Sequence, residues 1–549
     1  MTDPGPCVVG IDFGTLSARA VVVSVADGAG LGSAVADYRS GVVEGALPGG
    51  QSLPPDYALQ DPDDWLEALG DVVPGALRAA GVAPEHIVGI GTDFTSATVI
   101  PATADGEPLR HRFPDRPHAW PKLWKHHGAE EQARRMTRVA RERGESWLAR
   151  YGGNLSAELL PPKVLETLEE DQEVYGAAGT FVNAADWIVW QLTGALVAAA
   201  GDSGYKRLLQ DGRPPSREYL TAVNPAFADV YADKLAAPIQ PLGSRAGHLT
   251  PEWARRLGLR TDVAVAVGCI DAHAAAPAVQ AVDPGQLLAA VGTSGCYLVS
   301  APELHDVPGL LGVVDGGLVE GLWGYEMGQT GLGDIFAWFV DHCVPARYHQ
   351  AAEQEGISLH EHLTRLAEQQ AVGQHGLVAL DWHNGNRSIL ADSGLTGLLV
   401  GQTLTTRPED QYRALLESTA FSLRVITETL TGHGVAIDEV VAGGGLVKNR
   451  FWMQLISDVT RLPISVGAHE HASAVGAAIH GAVAAGAHPD VRTAAARMGA
   501  RHRHVFVPDH ARAAAYDEMY LIYRELHDHF GDGRIMHHLR ALRRKETRN

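Results

Sequence analysis

Several short clusters in this sequence carry side chains or bare backbone suited to handling a phosphate. Asp12 stands in Asp12-Phe13-Gly14-Thr15, a tight turn where backbone N–H groups can approach a phosphate while the carboxylate holds hydrated Mg²⁺; a plain hairpin tip uses the same residue types. Thr293 and Ser294, bracketed by Gly292 and Gly295, offer hydroxyls at a second turn whose glycines leave room for close approach. Gly443-Gly444-Gly445 follows an apolar strand and precedes a helix that starts near Lys448-Asn449. Bare backbone there can lie flat against an adenine or ribose, or serve only as a flexible turn. Asp271 ends a buried strand and opens a helix, so its carboxylate can take a proton from an acceptor hydroxyl during phosphoryl transfer, or simply cap the helix. Lys206, Glu326, Asp93 and Lys122 stand isolated among aromatic and glycine neighbours and read as solvated surface charges.

The elements that must position these residues can be read from the pattern. An apolar strand from residue 7 meets the Asp12 turn and returns as a second strand to residue 23, a hairpin with a polar, glycine-containing tip. A helix over 62–80 follows, then a strand over 87–91 that ends at Thr92-Asp93-Phe94-Thr95. Residues 106–150 are rich in Pro, His, Arg and Trp and read as an insertion over a cleft. A second strand-and-turn system begins at 263–267 and runs through Asp271 into an Ala-rich helix. The hairpin with the Gly292-Thr293-Ser294 tip comes next, about 280 residues after the first, which suggests an ancient duplication with one nucleotide between its halves. A helix over 408–430, the strand before the glycine triplet, and a small-residue helix over 472–485 complete the second half. This pattern predicts a first lobe over 1–258, a hinge in the Pro- and Gly-rich stretch 236–251, a second lobe over 259–490 and an amphipathic helical tail over 491–549 with a basic end.

Length and composition fit this division. With 549 residues, 45% of them hydrophobic, and 61 glycines, the chain can bury two cores and is an α/β globular type rather than a disordered one. The formal charge of −20 argues against a broad face for DNA or RNA and leaves nucleotides as ligands. The N-terminus lacks the basic and apolar regions of a signal peptide, and no apolar run is long enough to span a bilayer. The four cysteines have no metal-ligand spacing, so reduced thiols in a cytoplasmic protein are expected.

Taken together, Gly10-Ile11-Asp12-Phe13-Gly14-Thr15, Gly268-Cys269-Ile270-Asp271-Ala272-His273, the Gly-Thr-Ser tip and Ala442-Gly443-Gly444-Gly445 resemble the FGGY carbohydrate kinases over nearly the whole chain. Within that family, Thr92-Asp93-Phe94-Thr95, the run from His118 to His127, Tyr151-Gly152-Gly153, Gly204-Tyr205-Lys206 and the run from Asp381 to Arg387 are similar to the members that phosphorylate L-ribulose. The resemblance implies an α/β fold of two actin-like, ribonuclease-H-like lobes with nucleotide and sugar in the cleft between them. It implies ATP-dependent phosphorylation of L-ribulose to L-ribulose 5-phosphate in arabinose catabolism, with ATP and Mg²⁺ required. Asp271 would be the general base, joined by Ser96, Lys206 and Glu326 in holding the ketopentose. Asp12 would hold Mg²⁺ through water, with Asp271 beside the metal. Thr15, Gly292, Thr293 and Ser294 would cradle the phosphates, and Gly444, Gly445 and Asn449 would flank the adenosine. Two departures stand out: Ser96 where these members often carry Ala, and Leu159 where the family pattern has Trp. The resemblance also allows a homodimer and leaves as rivals a kinase for xylulose or ribitol, an actin-like ATPase, or a silent sugar sensor.

Overall fold

The computed structural model describes residues 4–546, with side chains through residue 542. Strand β1 (Cys7–Phe13) is apolar except for Asp12 near its end and almost wholly buried, as a strand in the middle of a sheet covered on both faces must be. It turns back into β2 (Ser17–Ser24), paired antiparallel from Cys7 opposite Ser24 to Phe13 opposite Ala18, and β3 (Gly30–Asp37) forms the edge. Helix α1 (Pro62–Ala80) has the predicted bounds because both ends are marked chemically. The Asp61 side chain accepts from the N–H of Asp63, proline occupies the first turn, and Gly81 closes the helix at φ 62°. Its Trp65, Leu69 and Val72 are buried on one side of the sheet.

Strand β4 (Ile87–Phe94) lies parallel to β1. The chain then builds a second layer with its own core around the helices Glu130–Arg143, Leu160–Glu170 and Arg217–Val223, and passes through the short buried helix α2 (Ala200–Lys206). Strands β5 (Arg245–His248), β6 (Ala264–Ala266) and β7 (Cys269–Ile270) complete the first sheet in the order β3-β2-β1-β4-β6-β5, with β7 also on β4. Helix α3 (Asp271–Ala278) leaves the end of that sheet. The strand expected to open the second half at 263–267 therefore belongs to the first, where β6 pairs parallel with β4. The hinge expected at 236–251 is likewise wrong, because β5 is hydrogen-bonded into the first sheet beside β6. A division at 258/259 would separate those paired strands, so we place it after α3.

The second half repeats the plan. Strand β8 (Gly285–Val291) turns into β9 (Gly295–Ala301), followed by β10 (Gly312–Asp315), β11 (Trp323–Gln329), the long helix α4 (Pro408–Gly432), β12 (Ile437–Gly443), α5 (Arg450–Thr460) and β13 (Ile464–Gly467). Strand β8 pairs antiparallel with β9 and parallel with β12, as β1 does with β2 and β4. Helix α6 (Ala472–Ala484) was expected to complete this half; it instead packs on the first, against β1, β4 and α3. Its approach is close because its contacts are glycine and alanine: a Cβ on Gly10 would overlap the carbonyl oxygen of Ala474, and one on Gly476 would overlap that of Ala274 in α3.

The tail is mostly helical, but it also adds a strand. Strand β14 (Arg501–Phe506) adds to β13 at the edge of the second sheet, whose order is β10-β11-β9-β8-β12-β13-β14. Helix α7 (His510–Phe530) buries Tyr516, Tyr520 and Tyr523 against this half, and α8 (Arg534–Glu546) closes the described chain. Among the described residues no helix is long and apolar enough to cross a membrane.

Candidate active site

The parallel register of β1 and β4 sets Asp12 directly opposite Asp93, and β7 sets Cys269 on the other side of Asp93. Asp271 follows two residues later at the first position of α3, so carboxylates from neighbouring elements gather at one end of the first sheet. Ile270 holds the cap position and no side chain caps α3; the capping alternative for Asp271 is thereby removed. Asp271 is partly open to the cleft and its Oδ1 accepts from the N–H of Ala272 at 2.7 Å. Burial, then the charge of Asp12, push its pKa up to about 7, with Glu326 raising it further and Lys206 opposing. Asp12 faces Arg19 at 3.6 Å, yet burial still lifts its carboxyl above the ordinary range. Asp93 is fully buried and neither of its oxygens has a hydrogen-bond donor. Burial, Asp12 and Asp271 together raise it well above the usual carboxylate value.

The residues expected to hold the sugar come from both halves. Lys206, at the end of α2, reaches Glu326 on β11 at 2.9 and 2.8 Å, and His273 Nε2 lies 3.4 Å from the same carboxylate. Burial alone would raise Glu326, but Lys206 and His273 outweigh it and hold the group far below its ordinary value. Burial would likewise depress Lys206, but Glu326 and Glu158 keep it charged. The pair is thus ionised, and each partner is the condition for burying the other.

Reading Lys206, Glu326, Asp93 and Lys122 as solvated surface charges is therefore incorrect: all four are buried. Lys122 Nζ donates to Glu166 at 2.6 Å, to the carbonyl of Lys163 at 2.9 Å and to Thr167 at 2.8 Å. Their partners lie tens of residues away, so local sequence carried no sign of the pairing.

Ser96 sits half-buried in the turn that follows β4. That turn is held by Lys163, whose Nζ donates to the carbonyls of Ala97 and Leu123, both at 2.8 Å. A half-buried contact missed from sequence is Glu158 with Arg387 at 2.8 Å, which joins the two halves across the cleft. Burial opposes the charge on Glu158, but Arg387, His127 and Lys206 lower it to about 2. The Tyr151-Gly152-Gly153 and Asp381-to-Arg387 runs flank these residues, the one signal that pointed to them.

Of the residues expected to hold the nucleotide, Gly292, Thr293 and Ser294 form the tip between β8 and β9, with Gly292 N–H bonded to the Ser294 carbonyl at 3.0 Å and Thr293 exposed. Gly444 follows β12 at φ 105°, and a Cβ there would overlap the carbonyl of Val291. Only glycine lets this loop lie against the end of β8. Around Gly445 the corresponding space is open. Asn449 accepts from the N–H of Trp452 at 3.0 Å and so caps α5, while its amide nitrogen donates to the Thr364 hydroxyl at 3.4 Å. The hydroxyl of Thr15 accepts from Trp124 Nε1 at 3.2 Å. The structure thus brings Asp12, Asp271, Lys206 and Glu326 together and sets the glycine-rich loops beside one another on the second half.

The family assignment follows from the whole chain. Residues 7–277 match the N-terminal domain of the FGGY family of carbohydrate kinases and residues 287–485 match its C-terminal domain. The chain belongs to the FGGY family of carbohydrate kinases. The two FGGY matches meet across the segment after α3, where the sheets divide. Among FGGY relatives, a ribulokinase of Mycolicibacterium smegmatis is 52% identical, covering 100% of this chain and 99% of that protein. One of Geobacillus thermodenitrificans is 45% identical over 96% of this chain and 95% of its own. A crystal structure of xylulose kinase from Rhodospirillum rubrum superposes with a TM-score of 0.77 at 24% identity, covering 97% of this chain and 100% of that one. Plasmodium falciparum glycerol kinase with ADP gives 0.73 at 16%, over 95% and 98%. These superpositions establish the two-lobed, actin-like FGGY fold.

Proposed function

We propose that this kinase transfers the terminal phosphoryl group of ATP to the end hydroxyl of L-ribulose, giving ADP and L-ribulose 5-phosphate, a step of arabinose catabolism. The observation that carries the mechanism is Asp271. It stands at the sheet end with its pKa raised to about 7 by burial and by the charges of Asp12 and Glu326, with Lys206 opposing. A base of that strength is matched to neutral pH. The full-length likeness to proteins named ribulokinase supports the choice of acceptor.

In this reading Lys206, Glu326 and Ser96 hold the sugar, and Asp271 accepts the proton of its terminal hydroxyl as that oxygen bonds to the γ-phosphorus. The bond from phosphorus to the ADP oxygen breaks in the same passage, and ADP leaves with the electron pair. Backbone at Thr15 and at Gly292, Thr293 and Ser294 supports the phosphates, while Gly444, Gly445 and the Asn449 amide flank the nucleoside. Mg²⁺ fits the donor set: hard carboxylate oxygens at Asp12, next to the unpaired oxygens of Asp93. Among the described residues no three acidic, His or Cys groups converge to hold a metal unaided, as suits an ion that takes part of its shell from phosphate and water. When bound it would offset phosphate charge, and Asp12 would hold it with Asp271 nearby. Such a kinase works where ATP is kept, so the proposal includes a cytoplasmic location; a homodimer is compatible with it.

Initial rates of ADP formation with MgATP and L-ribulose, D-ribulose, L- and D-xylulose, ribitol, glycerol and no acceptor test the reading. L-Ribulose is expected to be preferred. Another preferred acceptor would replace the substrate, and turnover equal to the blank would remove the kinase function. Asp271→Asn should lower kcat by about a thousandfold or more while the Kd for L-ribulose by calorimetry stays within about tenfold.

A further inference from the structure

The basic C-terminal helix α8 is unexplained by catalysis, yet its contacts lead back to the cleft. His537 Nε2 lies 2.9 Å from Oδ1 and 2.8 Å from Oδ2 of Asp392, Arg540 donates to the carbonyl of Ser393, and the buried sulfur of Met536 accepts from the N–H of Thr396 at 3.2 Å. All three grip one loop, residues 386–396. Inside that loop, Asp392 and Asn386 exchange backbone hydrogen bonds at 2.8 and 2.9 Å, so the end held by α8 is tied directly to the residue before Arg387.

The other side of the loop meets the first half of the molecule. Asn154 Nδ2 donates to the carbonyl of Ala391 at 3.2 Å, and Arg387 pairs with Glu158. Glu158 in turn acts electrostatically on Lys206 and Lys163, the lysines that face Glu326 and hold the turn of Ser96. The path runs from α8 through the loop and the Arg387–Glu158 pair to both sugar-side lysines.

We infer that α8 positions the sugar site, with His537 and Arg540 fixing the 386–396 loop so that Arg387 meets Glu158 across the cleft. The inference rests on the reading of the cleft as a sugar site. It assigns His537 a positioning role, acting through Asp392 and Arg387 without touching substrate.

The test uses full-length variants. His537 is half-exposed, so His537→Ala is expected to keep its thermal midpoint while the KM for L-ribulose rises about tenfold and kcat and the KM for MgATP stay within about twofold. His537→Gln, which restores an N–H donor at about the same reach, should recover most of the loss, and Arg540→Ala should reproduce the split more weakly. Combined with Arg387→Ala, His537→Ala should add almost nothing, since both break one path. An unchanged sugar KM, parallel losses in both KM values and kcat, or additivity in the double variant would overturn the inference. The wild-type acceptor panel keeps this separate from the functional reading: if another acceptor is preferred, the same ratios are measured with that acceptor.

Discussion

Buried charge sets the behaviour of individual residues in this protein. Asp381 is buried, with one oxygen accepting from Gln329 Nε2 at 2.9 Å and the other from the Tyr523 hydroxyl at 3.3 Å. Burial nonetheless pushes its pKa up to about 6. A folded pKa above the unfolded one means that the native state binds this proton more tightly. Its contribution is therefore complete below about pH 4 and is lost as pH rises through 6, on the order of 3 kcal/mol at most. Asp381→Asn should accordingly melt above the wild type at pH 8 and show no such advantage at pH 4, in paired thermal scans. Lys122 presents the opposite case. Removing its ammonium with Lys122→Met leaves the Glu166 carboxylate with His126, at 3.1 Å, and should cost about 3–5 kcal/mol in urea titrations. Lys122→Met combined with Glu166→Leu should recover most of that.

At the scale of elements, the helix α6 decides how the sheet end is assembled. It contacts β1 and β4, which carry Asp12 and Asp93, and α3, which starts at Asp271. Gly476→Ala would drive a methyl into the carbonyl of Ala274. A loss of about 1–3 kcal/mol or more is expected, together with a fall in kcat because α3 must shift. A variant with normal melting and normal kcat would show that the approach is not needed. The helix itself was legible in its run of small residues, and α1 was legible to the residue because its caps are local chemistry. What α6 packs against was not legible: alanine and glycine mark a close approach without naming the partner. The strand at 263–267 was misplaced for a related reason, since a short apolar run has the same pattern whichever sheet it joins.

For the whole molecule, the two halves are keyed together beside the site. Tyr205 of α2 is fully buried, and its hydroxyl donates to the carbonyl of Gly324 on β11 at 2.7 Å. Its ring fills a slot where Gly312, Gly317 and Gly324 leave room. Lys206 follows directly in sequence and reaches Glu326 on the same strand, so α2 is anchored to the second half although its chain belongs to the first. Gly324→Ala would crowd the Tyr205 hydroxyl and should raise the KM for L-ribulose about tenfold or more while leaving the KM for MgATP within about threefold. Equal changes in both would point to general loosening instead.

The sequence by itself determined the two hairpin turns and their repetition, and it marked Asp12, Asp271 and the glycine loops as candidates, because turn geometry and phosphate handling need particular residue types at short spacing. Only the tertiary structure decided where the halves divide, which charges are buried and which partners neutralise them. Those depend on contacts between residues such as Lys206 and Glu326, or Glu158 and Arg387, that lie 120 and 229 positions apart, and an ion pair across such a separation leaves no mark in the residues beside either partner.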